Sequence, residues 1–282
     1  MHHYRRVLVM VREGHAEAPP FYLAAELAHL LQVELEGIFV EDEALVFLSG
    51  LPFARELRLP GHTWQALDAA AMREHLRMAE SEARRLLADA AARLGVPSTF
   101  SVERGDPYSA LTEHARPEDI LVLAEPGAVR AGAFRRAGRK IFRDRRSAVL
   151  LVPARQAERH GSIALLLPTG GPEVVAVAAA IAHASAEDVV LIVPEGAGAA
   201  AARAEAALKE AGMPPARIKL RHVPGHHIGL ITRAVRVVRA RLVVLDEAGF
   251  GGDVQGSLAY LLADAGTAVL LLGKAPGSGP DA

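Results

Sequence analysis

Short apolar runs alternate along this chain with longer segments whose apolar residues recur every three or four positions. The runs predict buried strands and the spaced pattern predicts helices with one apolar face. Val7 to Val11 is the first run, closed by Arg12-Glu13-Gly14. Pro20 to Leu31 carries Leu23, Leu27, Leu30 and Leu31 at helical spacing, and Val33 to Val40 is a second strand. Glu41 to His62 is irregular yet apolar, with Phe47, Leu48, Leu51, Phe53, Leu57 and Pro60. Such a loop is either a lid or part of an interface. Thr63 to Leu94 predicts a long helix, Ser98 to Glu103 a third strand and Tyr108 to Ala115 a short helix. Ile120 to Ala124 and Ala148 to Val152 are the fourth and fifth strands.

Pro153 to Gly161 is polar and without period, and from Ser162 the order repeats. Strands are expected at Ile163–Leu167, Val189–Val193, Ile218–Val223, Leu242–Leu245 and Ala268–Leu272. Helices are expected at Glu173–Ala184, Ala199–Ala211 and Ile228–Arg239, the second stopped by Gly212 and then Pro214-Pro215. Gly105 and Gly225, and Ser147 and Thr267, stand 120 residues apart. A period longer than any solenoid repeat means a duplicated α/β unit. The expectation is an α/β chain of two tandem five-stranded, mainly parallel sheets flanked by helices and Rossmann-like. The first unit spans 1–154, a linker 155–160 and the second unit 161–282. In such sheets ligands sit beyond the carboxyl ends of the strands, where strand order reverses.

With 282 residues, 51% of them apolar and 23% charged, the chain has ample material for packed cores. A net charge of −1 leaves no global field to recruit nucleic acid or anionic lipid. The absence of cysteine excludes disulfides, thiolate-held zinc and thiol catalysis. No apolar run is long enough to span a membrane, so neither membrane nor nucleic acid is an expected partner, and the default compartment is the cytoplasm.

Candidate chemistry concentrates after the run Leu242 to Leu245. Asp246-Glu247 is followed by Gly249, Gly251, Gly252 and Gly256, then Ser257 and a helix-like segment. A strand, a glycine-rich turn and a helix can present backbone N–H groups and a positive helix end to a phosphate. The competing reading is a tight connection, with Ser257 capping the next helix. A dinucleotide fingerprint is disfavoured, because that motif follows the first strand of its unit.

Two five-strand halves, a glycine after each third strand, and Gly256-Ser257 before a final Ala-Val-Leu-Leu-Leu strand resemble the universal stress protein family in its tandem form. In its nucleotide-binding members Gly-x-x-Gly is followed nine residues on by Gly-Ser or Gly-Thr, and an Asp ends the first strand. Here Gly249-Phe250-Gly251-Gly252 and Gly256-Ser257 are separated by Asp253-Val254-Gln255 alone, and Pro168-Thr169-Gly170 replaces the Asp. The resemblance implies a stress-response binding or regulatory module rather than a turnover enzyme. ATP or AMP would be held at Gly249, Gly251, Gly252, Gly256 and Ser257, with Thr169 and Gly170 opposite and His226 at the edge of the cleft. It also implies a pseudo-dimer through the strand-five regions, room for a further homodimer, and an unidentified regulatory protein partner.

The first half departs further, since Arg12-Glu13 stands at the Asp position and Gly138 precedes Arg139. Arg136, Arg139, Lys140 and Arg143 share one helical face within Arg130 to Arg146. That face is an anion site built of guanidinium groups or a solvated surface. His222, His226 and His227 invite a metal, but no cysteine is near and no resident metal is expected without nucleotide. Glu41-Asp42-Glu43 reads as a solvated loop. Gly-x-Ser-x-Gly, phosphate-loop and His-Glu-x-x-His motifs are absent. The alternatives to a binding module are a slow ATP hydrolase or phosphotransfer enzyme using Asp246 or Asp253, and a protein-interaction scaffold using Leu45 to Leu59 and the basic helix.

Overall fold

Apolar runs without polar alternation need a sheet covered on both faces, and the computed structural model of the chain has one. It describes residues 4–12, 18–58, 61, 63–124, 147–153, 160–167, 171–246, 262–263 and 265–272. In chain order these form β1 (Arg6–Arg12), α1 (Ala18–Leu31), β2 (Glu34–Asp42), α2 (Glu43–Ser49), β3 (Arg55–Arg58), β4 (Thr63–Ala66) and α3 (Ala69–Leu94). Next come β5 (Ser98–Gly105), α4 (Pro107–His114), β6 (Asp119–Ala124) and β7 (Ala148–Val152). The second series is β8 (Ser162–Leu166), α5 (Pro172–Ala184), β9 (Val189–Pro194), α6 (Gly198–Glu210), β10 (Ile218–Val223), α7 (Ile228–Val237), β11 (Ala240–Asp246) and β12 (Ala268–Leu272).

The strands make a ten-stranded sheet in the order β10-β9-β8-β11-β12-β7-β6-β1-β2-β5. Each five-strand set is parallel within itself. The sets are joined by antiparallel pairing of β12 with β7, where Leu270 faces Leu150. The amino ends of one set therefore lie on the same side as the carboxyl ends of the other. Side chains alternate between two apolar clusters. Val7, Val9, Ile120 and Val122 point to α1, α3, α5 and α6, and Leu8, Leu121 and Leu123 to α4 and α7. The first cluster runs unbroken across both sets.

Two local outcomes differ from the sequence pattern. Thr63 to Ala66 belongs to β4, paired antiparallel with β3, and the helix begins only at Ala69. Thr63-Trp64-Gln65 suits a pleated strand, and Asp68 caps the helix by accepting from the Ala70 N–H at 2.9 Å. Within the segment expected to be irregular, α2 forms because Asp42 caps it in the same way, accepting from Ala44 at 2.9 Å.

Polar groups buried at strand starts are paired. Asp119 accepts from Arg6 Nε and Nη2, each at 2.8 Å, and from the Arg116 N–H at 2.8 Å. The second set solves the same problem differently. A register shift between Ala240 and Leu242 lets Arg241 leave the strand ladder, as bulges do. Its guanidinium meets Glu187 at 2.5 Å and Glu26 of α1 at 3.1 Å, tying the second set to the first.

Candidate functional site

Strand order reverses between β8 and β11 in the second set and between β1 and β6 in the first. Each reversal opens a crevice at the carboxyl ends, because the loops leaving the two strands turn to opposite sides of the sheet. In the second crevice Leu167 follows β8 and Asp246 ends β11, and these strands are adjacent, with Val244 facing Leu165. Thr169 and Gly170 follow Leu167 in the chain, and Gly249, Gly251, Gly252, Gly256 and Ser257 follow Asp246; all seven lie outside the described residues. Arg136, Arg139, Lys140 and Arg143 of the first set also lie outside them.

The wall of the second crevice that is described is the start of α5. Gly171 is its N-cap, with extended backbone and no side-chain cap bond, and Pro172 occupies the first turn. That leaves first-turn N–H groups for whatever lies at the helix end. Glu173 shares this turn, and its Oε1 accepts a hydrogen bond from the Tyr4 hydroxyl at 3.2 Å. Burial, and then the charge of Glu173, raises the Tyr4 phenol far above its ordinary value. Sequence reasoning missed both residues. They are 169 positions apart, and only the antiparallel joint between the sets brings them together.

His226 is exposed in the loop after β10, the outer strand of the second set. By ordinary strand spacing that is about 12 Å along the sheet from the β8/β11 crevice. His227 is engaged as the α7 N-cap, its Nδ1 accepting from Gly229 at 3.2 Å. Among the described residues no group of three His, Asp or Glu side chains could hold a metal ion. The acidic triplet is employed locally: Glu41 pairs with Arg104 at 2.8 Å and Asp42 caps α2, while Glu43 is exposed in the first turn of that helix.

Two grooves lie at the amino ends of the strands instead. One, of about 990 Å³, is lined by Tyr4, Arg6, His29, Glu36, Arg116 and Asp119. The other, of about 650 Å³, includes His160, Glu187, Asp188, Lys219, Arg221 and Arg239. Their buried charges already have protein partners. The Arg6 guanidinium is shared between Asp119 and Glu36, and its hydrogen bond to Asp119 holds its pKa above the usual value.

No family model and no curated protein matches the sequence. Solved structures do match. A universal stress protein from Archaeoglobus fulgidus DSM 4304 superposes with a TM-score of 0.64 at 12% identity, over 95% of this chain and 97% of that one. A putative universal stress protein from Pseudomonas aeruginosa UCBPP-PA14 gives 0.55 at 16% identity, over 95% and 93%. This chain has the universal stress protein fold. The cytoplasmic domain of a prokaryotic cation chloride cotransporter also shares it, with a TM-score of 0.55 at 15% identity over 95% of both chains. The universal stress protein fold thus serves more than one kind of protein, and function has to be argued from the crevices and surfaces of this chain. Among the described residues no helix is long and apolar enough to cross a membrane.

Proposed function

We propose that this chain is a stress-response binding or regulatory module whose second crevice holds an adenine nucleotide, ATP or AMP. The observation that carries the reading is the reversal of strand order between β8 and β11. The strands on either side of that reversal are the ones that Thr169-Gly170 and Gly249 to Ser257 follow in the chain, which supports a shared crevice for the two stretches. In this reading the glycine backbone N–H groups and the Ser257 hydroxyl receive the phosphates, helped by the positive end of the following helix. Residues 1–154 and 161–282 act as the two units, with 155–160 between them. The basic face of Arg136, Arg139, Lys140 and Arg143 is the first unit's own anion-binding surface.

Titration calorimetry with ATP, ADP and AMP tests the reading, together with mass spectrometry of any nucleotide released from the purified chain by acid. Binding is expected at millimolar ligand or below, and Gly256→Arg is expected to abolish it by filling the glycine turn. Silence for all three nucleotides refutes it. The alternative of a slow ATP hydrolase or phosphotransfer enzyme needs a metal held by a carboxylate such as Asp246 or Asp253. Phosphate release at the blank rate, with magnesium present and binding intact, removes that alternative. A protein-interaction role is favoured by a separate observation, the exposed aromatic residues between β2 and α3.

A further inference from the structure

The ten-stranded sheet ends on β10, which among the described strands pairs only with β9, so its outer backbone edge is open. Lys219, Leu220, Arg221 and His222, the middle of the strand, are all exposed. The surroundings carry charge of one sign. Residues 211–245, which make β10, α7 and nearly all of β11, hold seven of the chain's 32 lysines and arginines and none of its 33 acidic residues.

The fold does not demand this. At the 120-residue offset between the sets, residues 91–125 make β5, α4 and β6 with six acidic residues against three arginines. There Arg104 of β5 is neutralised by Glu41 at 2.8 Å, and Glu103 lies 3.3 Å from His114. In the second set Lys219 is taken up by Asp188 and Arg241 by Glu187. Arg221, Arg233 and Arg236 are exposed and have no acidic partner among the described residues. A cation on an edge strand wards off stray pairing, but that role does not call for further unpaired arginines on the neighbouring helix.

Strand alternation sorts the edge into two sides. Lys219 and Arg221 project to the side of Val223, which belongs to the cluster of Ile231, Ala234 and Val235 of α7. The groove of about 650 Å³ lies there, with Lys219, Arg221 and Arg239 in its lining. Leu220, 42% exposed, projects to the opposite side with His222.

We propose that β10 is a docking edge for an extended acidic segment of a partner protein, which joins the sheet as a further strand. Acidic residues at alternate positions of the segment face Arg221, and aliphatic residues between them cover Leu220. Arg233 and Arg236 add to the field that draws the segment in. In strand addition main-chain hydrogen bonds supply affinity and alternate side chains supply specificity.

Charge complementarity selects this occupant. A second copy of β10 would bring the same cations against these. Single-stranded nucleic acid needs aromatic platforms, and residues 211–245 contain no aromatic Phe, Tyr or Trp. A bilayer offers no backbone groups to an open strand edge.

Fluorescence anisotropy of a labelled alternating Glu-Val octapeptide with the full chain tests the docking, with a Lys-Val octapeptide as control. The Glu-Val peptide is expected to bind, less tightly as salt is raised, and the Lys-Val peptide is not. Amide hydrogen exchange within Ile218–Val223 should slow in the complex, because the added strand takes up N–H groups of the open edge. Arg221→Glu, and separately Arg233→Glu combined with Arg236→Glu, are each expected to weaken binding about tenfold. Circular dichroism should be unchanged, since these side chains are exposed. Equal binding of the two peptides, silence of the Glu-Val peptide at about 1 mM, or binding that leaves exchange in β10 unaltered overturns the proposal. Displacement of the peptide by lower concentrations of oligothymidylate or of phosphatidylglycerol vesicles overturns it equally.

Discussion

Replacing Arg241 with Met removes a guanidinium that is 2% exposed while keeping most of its apolar stem. What is left behind is Glu187, 13% exposed, and Glu26, 35% exposed. Breaking a buried pair by deleting one partner costs roughly 3–5 kcal/mol, because the remaining charge stays buried without compensation. Glu26 is a third exposed, so water screens much of its share, and the expected loss is about 3 kcal/mol, carried mostly by Glu187. The pH dependence gives a second handle. Burial raises the Glu26 carboxyl above its ordinary 4.5, and Arg241 opposes that rise. A carboxyl with a raised folded pKa binds its proton more tightly folded than unfolded, so its contribution to stability falls as pH rises through the raised value. Without Arg241 the rise is larger and the fall deeper. The deficit of Arg241→Met is thus greatest near neutrality and narrows on acidification. Urea unfolding followed by circular dichroism at about pH 7 and about pH 5 measures both quantities. A loss under about 1 kcal/mol at the higher pH, or a deficit that widens at the lower, would show that the cluster does not work this way.

Two further outcomes follow from the same packing. A Cβ on Gly161 would overlap the carbonyl oxygen of Arg239, a backbone atom that cannot swing away. Gly161→Ala is expected to cost about 1–3 kcal/mol, whereas a Cβ on Gly37 meets only the side-chain ends of Leu87 and Phe100, at 2.9 Å, so Gly37→Ala costs less in parallel melts. Tyr4→Phe should lower stability at neutral pH by about 1 kcal/mol through loss of the bond to Glu173. The Tyr4 phenol is raised by burial first and Glu173 second, so the stability it lends is present below the unfolded pKa and lost as pH rises beyond it. Phenolate absorbance on alkaline titration should then be the same in wild type and Tyr4→Phe until the chain unfolds. A transition missing from the variant while the fold persists would contradict the buried geometry.

How much of this was legible in the sequence depended on whether the signal was local. Runs such as Val189–Val193 and Ala268–Leu272 announce buried strands by themselves, and the strands Val189–Pro194 and Ala268–Leu272 match them to within a residue. The 120-residue offset between Gly105 and Gly225 carried the repeat, and both glycines do adopt positive φ, at 138° and 76°. The hairpin was hidden because Thr63-Trp64-Gln65-Ala66 runs straight into a strong helical pattern, and the boundary rests on one capping bond from Asp68. Tyr4 with Glu173 and Arg241 with Glu26 were hidden for a different reason. No periodicity in a sequence says which strands will meet antiparallel, and both ties exist only once β7 has found β12.

Those two ties also bear on how the crevices can work. Each links the amino-end region of one set to the helix that follows the first strand of the other: Tyr4 to α5 in one direction, Arg241 to α1 in the reverse. They differ in place and chemistry: Tyr4, a neutral phenol just before β1, meets the first turn of α5, whereas Arg241, a guanidinium in β11, meets Glu26 within α1. The helix that starts at the second crevice is therefore anchored, in its first turn, by a residue of the first set. An anion at that helix end would compete electrostatically with Glu173, and Tyr4 is the group that stabilises Glu173 as it stands. A ligand in the second crevice would therefore meet a helix end whose first turn is tied to the first set by the Tyr4–Glu173 hydrogen bond.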